Sequence, residues 1–142
     1  MVLPCYFLDN VREHVRDLIH REGGDLLAAF RLPDHLFQNA RVTVDIVFLK
    51  KGKTGNPWLS VQDVKVGGLK KPMNEYFHHN SHHILGNLEV IPMYERTGLT
   101  CKPRGNLKPQ LERILQSLKQ EKLMELMQPL KSLTSVMELL SF

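Results

Sequence analysis

The strongest constraint on how this chain folds is a run of β-formers at residues 42–48. Val42, Val44, Ile46 and Phe48 alternate there with Thr43, Asp45 and Val47. An extended strand built from them has one wholly apolar face and one mixed face, so it must lie against a core. Phe37 stands just before it in a polar setting of Asp34, His35, Gln38 and Asn39, and Lys50, Lys51 and Lys53 follow. A phenylalanine in that position either packs over the end of a sheet or offers a flat face for stacking. The residues alone leave both uses open.

The elements around this strand follow from periodicity and punctuation. Residues 1–7 read as a strand with Pro4 near its end, and residues 11–22 as a helix capped by Asp9 or Asn10. Val11, Val15, Leu18 and Ile19 mark the apolar face of that helix, and Gly23-Gly24 closes it. Residues 26–32 form a second apolar strand, broken by Pro33-Asp34. A fourth short strand fits residues 58–66 between the turns at 52–57 and Gly67-Gly68, and residues 74–79 fit a turn or two of helix. Residues 85–94 read as irregular and 97–102 as extended. From Leu107 onward, Leu111, Ile114, Leu115, Leu118, Leu123 and Met127 recur at helical spacing. The pattern resumes after Pro129 with Leu130, Leu133, Val136, Met137 and Leu140. This amphipathic tail packs as a helical hairpin on its own domain or docks on a partner.

With 142 residues the chain is one domain or part of one. Its net charge of +4 permits contact with nucleic acid without requiring it. Cys5 and Cys101 lie too far apart for a C-x-x-C site and read as buried, reduced thiols. No run reaches the length of a membrane span and residues 1–8 lack the features of a secretory leader, so the expected location is cytoplasmic. The HHNSHH sequence (His78, His79, Asn80, Ser81, His82, His83) puts histidines four apart, but Asn80-Ser81 ends a helix and no acidic or cysteine partner stands at ligand spacing. Structural or exposed histidines, and no metal site, are the expectation. Lys65, Lys70, Lys71, Lys102 and Arg104 join Lys50, Lys51 and Lys53 as candidates for phosphate contact.

The succession VLPCYFLDN, VREHVRDL, DLLAAFRLPDHLF and VTVDIVFLKK resembles the C-terminal part of N6-adenine DNA methyltransferase domains. It looks most like the methylase portion of large phage- and plasmid-borne proteins that join such a domain to a helicase. Trp58, NEYF at residues 74–77, ILG at 84–86 and MYERTGLT at 93–100 extend the likeness, so that the ordered set spans roughly the first 118 residues. The resemblance implies a partial Rossmann-like α/β fold with a small mixed sheet. In it, DLLAAFRLP and VTVDIVFLKK form the closing antiparallel pair. It also implies that Phe37 occupies the position that stacks on a flipped target adenine.

Two motifs of that family are absent: the glycine-rich cofactor turn after the first strand, and the Asn/Asp-Pro-Pro-Tyr/Phe motif that holds the target amine. Asn56-Pro57-Trp58 has one proline and is misplaced, and Gly67-Gly68 opens no helix pattern. The resemblance therefore implies a fragment, contributing the target-base side and inactive alone, with no cofactor bound by this chain by itself. S-adenosylmethionine is the cofactor of the complete domain. The expected organisation is residues 1–53 as the second half of the methyltransferase-like domain, 54–106 as a family-specific extension and 107–142 as the helical tail. Expected partners are DNA, the missing methyltransferase half or a second copy of the chain. The competing reading is a non-enzymatic interaction or DNA-binding module descended from such a domain.

Overall fold

The computed structural model describes residues 1–34, 43–52, 58, 60–93 and 96–120, with the backbone alone at 93, 96 and 118–120. The elements in chain order are β1 (Val2–Pro4), α1 (Tyr6–Asp9), α2 (His14–Arg21), β2 (Gly24–Arg31), β3 (Val44–Lys51), β4 (Val61–Val66), β5 (Leu69–Asn74), α3 (Glu75–His79), a 3-10 turn at Ser81–His83, β6 (Gly86–Met93), β7 (Arg96–Pro103) and α4 (Leu107–Gln120). The protein is a mixed α/β structure of small antiparallel sheets and few helices.

The first sheet has the order β1-β3-β2, with β3 antiparallel to both neighbours. The expected small mixed sheet is thus antiparallel throughout, and an isolated bridge between Arg31 and Ile84 is the parallel contact among the described residues. The alternation at residues 43–48 works as its period requires. Val44, Ile46 and Phe48 join Ala28, Phe30 and Leu32 on one face and are covered by Leu107, Leu111 and Ile114 of α4. Val47 turns the other way, with Ala29 and Leu26, toward Leu8, Trp58, Met73, Phe77, Ile84 and Cys101. Leu26 and Ala28 should share a face by parity, but a register irregularity between them sends Leu26 to the opposite side.

β4 and β5 form a hairpin through Gly67 and Gly68, whose φ values of 57° and 81° are those of a two-residue hairpin turn that glycine enters without strain. β6 and β7 form a second hairpin, from Gly86 opposite Pro103 to Met93 opposite Arg96. Of the stretch that reads as irregular, residues 86–93 are therefore strand. Their partner is the run at 96–103, and pairing between them replaces local pattern as the determinant.

Helix α2 differs from expectation in its orientation. Val11, Val15 and Leu18 of the expected inner face are exposed, Ile19 is half-buried, and the buried side chain is Arg16. Arg16 Nη1 donates to Phe7 O at 2.9 Å, while Ile19 Cγ2 presses against Gly24, so a polar anchor and a close backbone approach roll the helix. The expected strand at residues 1–7 is likewise only Val2–Pro4, since Tyr6–Asp9 turns into helix. None of the described helices is long and apolar enough to cross a membrane.

Gly86 is locked by its neighbours: a Cβ there would meet Lys102 O and come within 2.7 Å of Cys101 Sγ. Gly86→Ala should therefore cost about 1–3 kcal/mol of stability, as overpacking typically does. Urea unfolding followed by circular dichroism would read this as a lower midpoint at unchanged slope.

Candidate functional site

The strand register places Asp45 directly opposite Arg31, and both are buried. Arg31 Nε and Nη2 donate to the two oxygens of Asp45, each at 2.9 Å. Its Nη1 and Nη2 donate to the two oxygens of Asp9, at the end of α1, at 2.8 and 3.0 Å. One guanidinium thus makes two forked contacts at once, a geometry that lysine cannot reproduce. The Phe77 ring covers the guanidinium at 4.4 Å from its centroid.

Asn74 extends this clamp. Its backbone N–H donates to Asp9 Oδ1 and its side-chain amide donates to Leu8 O and Trp58 O. Its Oδ1 accepts from Tyr76 N and so caps α3. Burial alone would lower the Arg31 pKa, but the Asp45 and Asp9 carboxylates outweigh it and keep the group charged. Burial pushes the Asp45 carboxyl up, opposed by the Arg31 charge.

A second polar cluster gathers the flanks of residues 35–42. Asp34 is buried; Lys102 Nζ donates to its Oδ2 at 2.8 Å, and Asp34 N donates to Cys101 O at 2.7 Å. Thr43 Oγ1 lies 2.8 Å from Thr100 Oγ1, which in turn stands 3.4 Å from Asp34 Oδ2. The residues on either side of the 35–42 segment are therefore drawn to one threonine on β7. Phe37, the expected stacking residue, belongs to that segment and lies outside the described residues, as does Lys53.

The remaining lysines sit on different elements. Lys50 and Lys51 end β3 opposite Asp25 and Gly24. They line a groove of about 490 Å³ with Leu18, Ile19, Glu22 and Leu49. Lys102 is committed to Asp34, and Lys71 Nζ donates to Thr97 O. Lys65 and Lys70 face each other across the β4–β5 hairpin.

The histidines of HHNSHH are divided by the end of α3 at His79 and the 3-10 turn that follows, so the pairs four apart do not share a helix face. His78 Nε2 lies 3.0 Å from Gln62 O, and His83 Nδ1 lies 2.8 Å from Tyr76 Oη. Among the described residues no three His, Cys, Asp or Glu side chains gather as a metal site would need. Cys5 and Cys101 are free thiols, and burial pushes both up to about 12, so they stay protonated and poorly nucleophilic near neutral pH.

Sequence reasoning finds the segment around Phe37 but misses the Arg31 clamp. The available signal was a pair of charged residues, Arg31 and Asp45, each inside an otherwise apolar strand. Charges in such positions need partners when buried. No family model matches this chain, and neither a curated protein nor a solved structure matches it.

Replacing Arg31 should leave two carboxylates buried without their cation. Arg31→Met is expected to lose about 3–5 kcal/mol in chemical denaturation, and Arg31→Lys should fail to restore most of it. His83 gives a separate, pH-dependent effect. Burial, assisted by neighbouring His82, lowers its pKa from 6.5 to about 4, so the folded state favours the neutral ring. Between those two values the unfolded chain binds more protons, and stability should fall as pH drops from about 6.5 toward 4. In His83→Asn, which cannot gain that proton, thermal melts across the same range should show a smaller loss.

Proposed function

We propose that this chain is the target-base half of a DNA adenine-N6 methyltransferase domain, inactive by itself. The observation that supports this best is the sheet order β1-β3-β2. β1 and β2 run in the same direction, are joined through α1 and α2, and take an antiparallel β3 between them. That arrangement agrees with the closing pair the resemblance implies for DLLAAFRLP and VTVDIVFLKK. The joining of Asp34 and Thr43 at Thr100 adds a fixed base for the segment carrying Phe37, as a residue that stacks on an extruded adenine needs.

The described residues do not fit S-adenosylmethionine in the manner of such domains. Gly23-Gly24 closes α2 into β2, and Gly67-Gly68 is the tip of a hairpin, so neither glycine pair leads from a strand into a helix. Methyl transfer on this reading therefore needs the cofactor turn and the Asn/Asp-Pro-Pro-Tyr/Phe motif to be supplied by residues outside this sequence.

A surface suited to a partner polypeptide is present. β1 pairs with β3 only as far as Ile46, extended by the bonds of Met1 to Val47. By the alternation of the ladder, Leu49 and Lys51 turn their backbone groups toward the side where β1 no longer runs. Of the seven large hydrophobic residues exposed among those described, six are Met1, Val2, Tyr6, Val11, Val15 and Leu18, which concentrates uncovered apolar surface on the first three elements. The same surface favours the second reading, a non-enzymatic interaction module, if its partner lacks those motifs.

The purified chain, given labelled S-adenosylmethionine and adenine-containing DNA, should transfer no methyl group. Mixed with a polypeptide that carries the two missing motifs, it should. Phe37→Ala should then slow transfer about tenfold or more, in line with about 1–3 kcal/mol for base stacking. Transfer by the chain alone would overturn its inactivity, and a mixture that neither assembles nor transfers would overturn the enzyme reading.

A further inference from the structure

The β4–β5 hairpin carries two lysines, Lys65 and Lys70, with no ion-pair partner among the described residues. Its strands pair from Val61 opposite Asn74 to Val66 opposite Leu69, and the register sets Lys65 directly across from Lys70. Both lysines are exposed, and among the described residues no carboxylate lies within ion-pair distance of either. Like charges directly opposite on one face of a ladder are destabilising, by a few tenths to about 1 kcal/mol. Residues 61–74 hold Lys65, Lys70 and Lys71 against one acid, Asp63.

The rest of the hairpin suits it to meet an extended polyanion. Its base is held by buried Met73 and Asn74, and Lys71 Nζ ties its side to Thr97 O. Its tip is open: a Cβ on Gly67 or Gly68 would meet nothing within 4 Å, so a phosphate can approach the turn's backbone N–H groups closely. Leu69, 48% exposed, flanks that turn with apolar surface against which a sugar edge can rest. A two-stranded ribbon of this kind also has the width that a DNA major groove admits.

We propose that this hairpin is a duplex-DNA contact in which Lys65 and Lys70 straddle the phosphate backbone. The choice of DNA among polyanions rests on the methyltransferase reading above, while the unpaired cations do not depend on it. Such a contact is sequence-independent: it sets position and register and leaves base reading to other residues.

Fluorescence anisotropy with a labelled duplex of about 20 base pairs tests this across a salt series. Each phosphate contact contributes a slope of about −0.9 in log Kobs against log salt. The double variant Lys65→Gln, Lys70→Gln should therefore flatten the slope by nearly 2 and weaken binding at least tenfold at low salt. Because it relieves the like-charge pair, it should melt no lower than the wild type, which separates a lost contact from a lost fold. An unchanged slope in the variant, or no duplex binding by the wild type, would overturn the proposal. So would equal loss on phosphatidylserine vesicles with duplex binding intact, which would assign the lysines to an anionic membrane. An unchanged slope in the variant, with methyl transfer in the reconstituted mixture retained, would sink the hairpin contact alone. Salt-dependent binding without any transfer would sink the enzyme reading and spare the contact.

Discussion

A buried guanidinium held between two carboxylates is the interaction on which the N-terminal half of this protein depends. Arg31 links three separate pieces of chain, because Asp9 ends α1, Arg31 ends β2 and Asp45 lies within β3. Asn74 brings in β5 and α3 by donating to Asp9. Removing any of these charges from water is costly, and the cost is offset only when every donor in the fork meets an acceptor. The clamp therefore specifies one arrangement of these elements more sharply than apolar packing alone would, since a strand register shifted by one residue would separate Arg31 from Asp45.

That arrangement also positions the candidate site. β2 leaves the sheet at Arg31 and β3 enters it at Val44, so the clamp fixes the two strands between which residues 35–42 run. Thr100 then draws Asp34 and Thr43 together from β7, and Lys102 neutralises Asp34. The β6–β7 hairpin thus ties Asp34 to Thr43. On and beside β1, α1 and α2, the apolar side chains of Met1, Val2, Tyr6, Val11, Val15 and Leu18 are exposed.

Much of the first sheet was legible in the sequence because its strands alternate strongly and are bounded by Gly and Pro. The strands β2 and β3, the short helix after Asn74 and the helix from Leu107 all follow from local pattern, while the antiparallel pairing of β2 with β3 was implied only by the family resemblance. The β6 strand did not, because Gly86, Asn87, Glu89 and Pro92 suit a strand only when β7 pairs with them. Nor did the burial of Arg16 in place of Val15 and Leu18, since helical periodicity ranks residues by hydropathy and carries no information about the carbonyl of Phe7. Phe37 stood out by its polar surroundings, while Asp9 read only as a helix cap, Asp34 only as part of a strand break, and nothing local marked Thr100 as a partner of Asp34.

By itself the sequence determined which segments had to be extended or helical, because periods of 2 and 3.6 residues dictate which side chains share a face. The proposed methyltransferase role rests on the sequence too, through the likeness of its motifs. Only the tertiary structure decided how the charged residues inside those segments are satisfied. Arg31 meets Asp9 across 22 positions and Asp34 meets Lys102 across 68. Contacts at such separations follow from the packing of whole elements, and a buried charge accepts whichever partner that packing delivers.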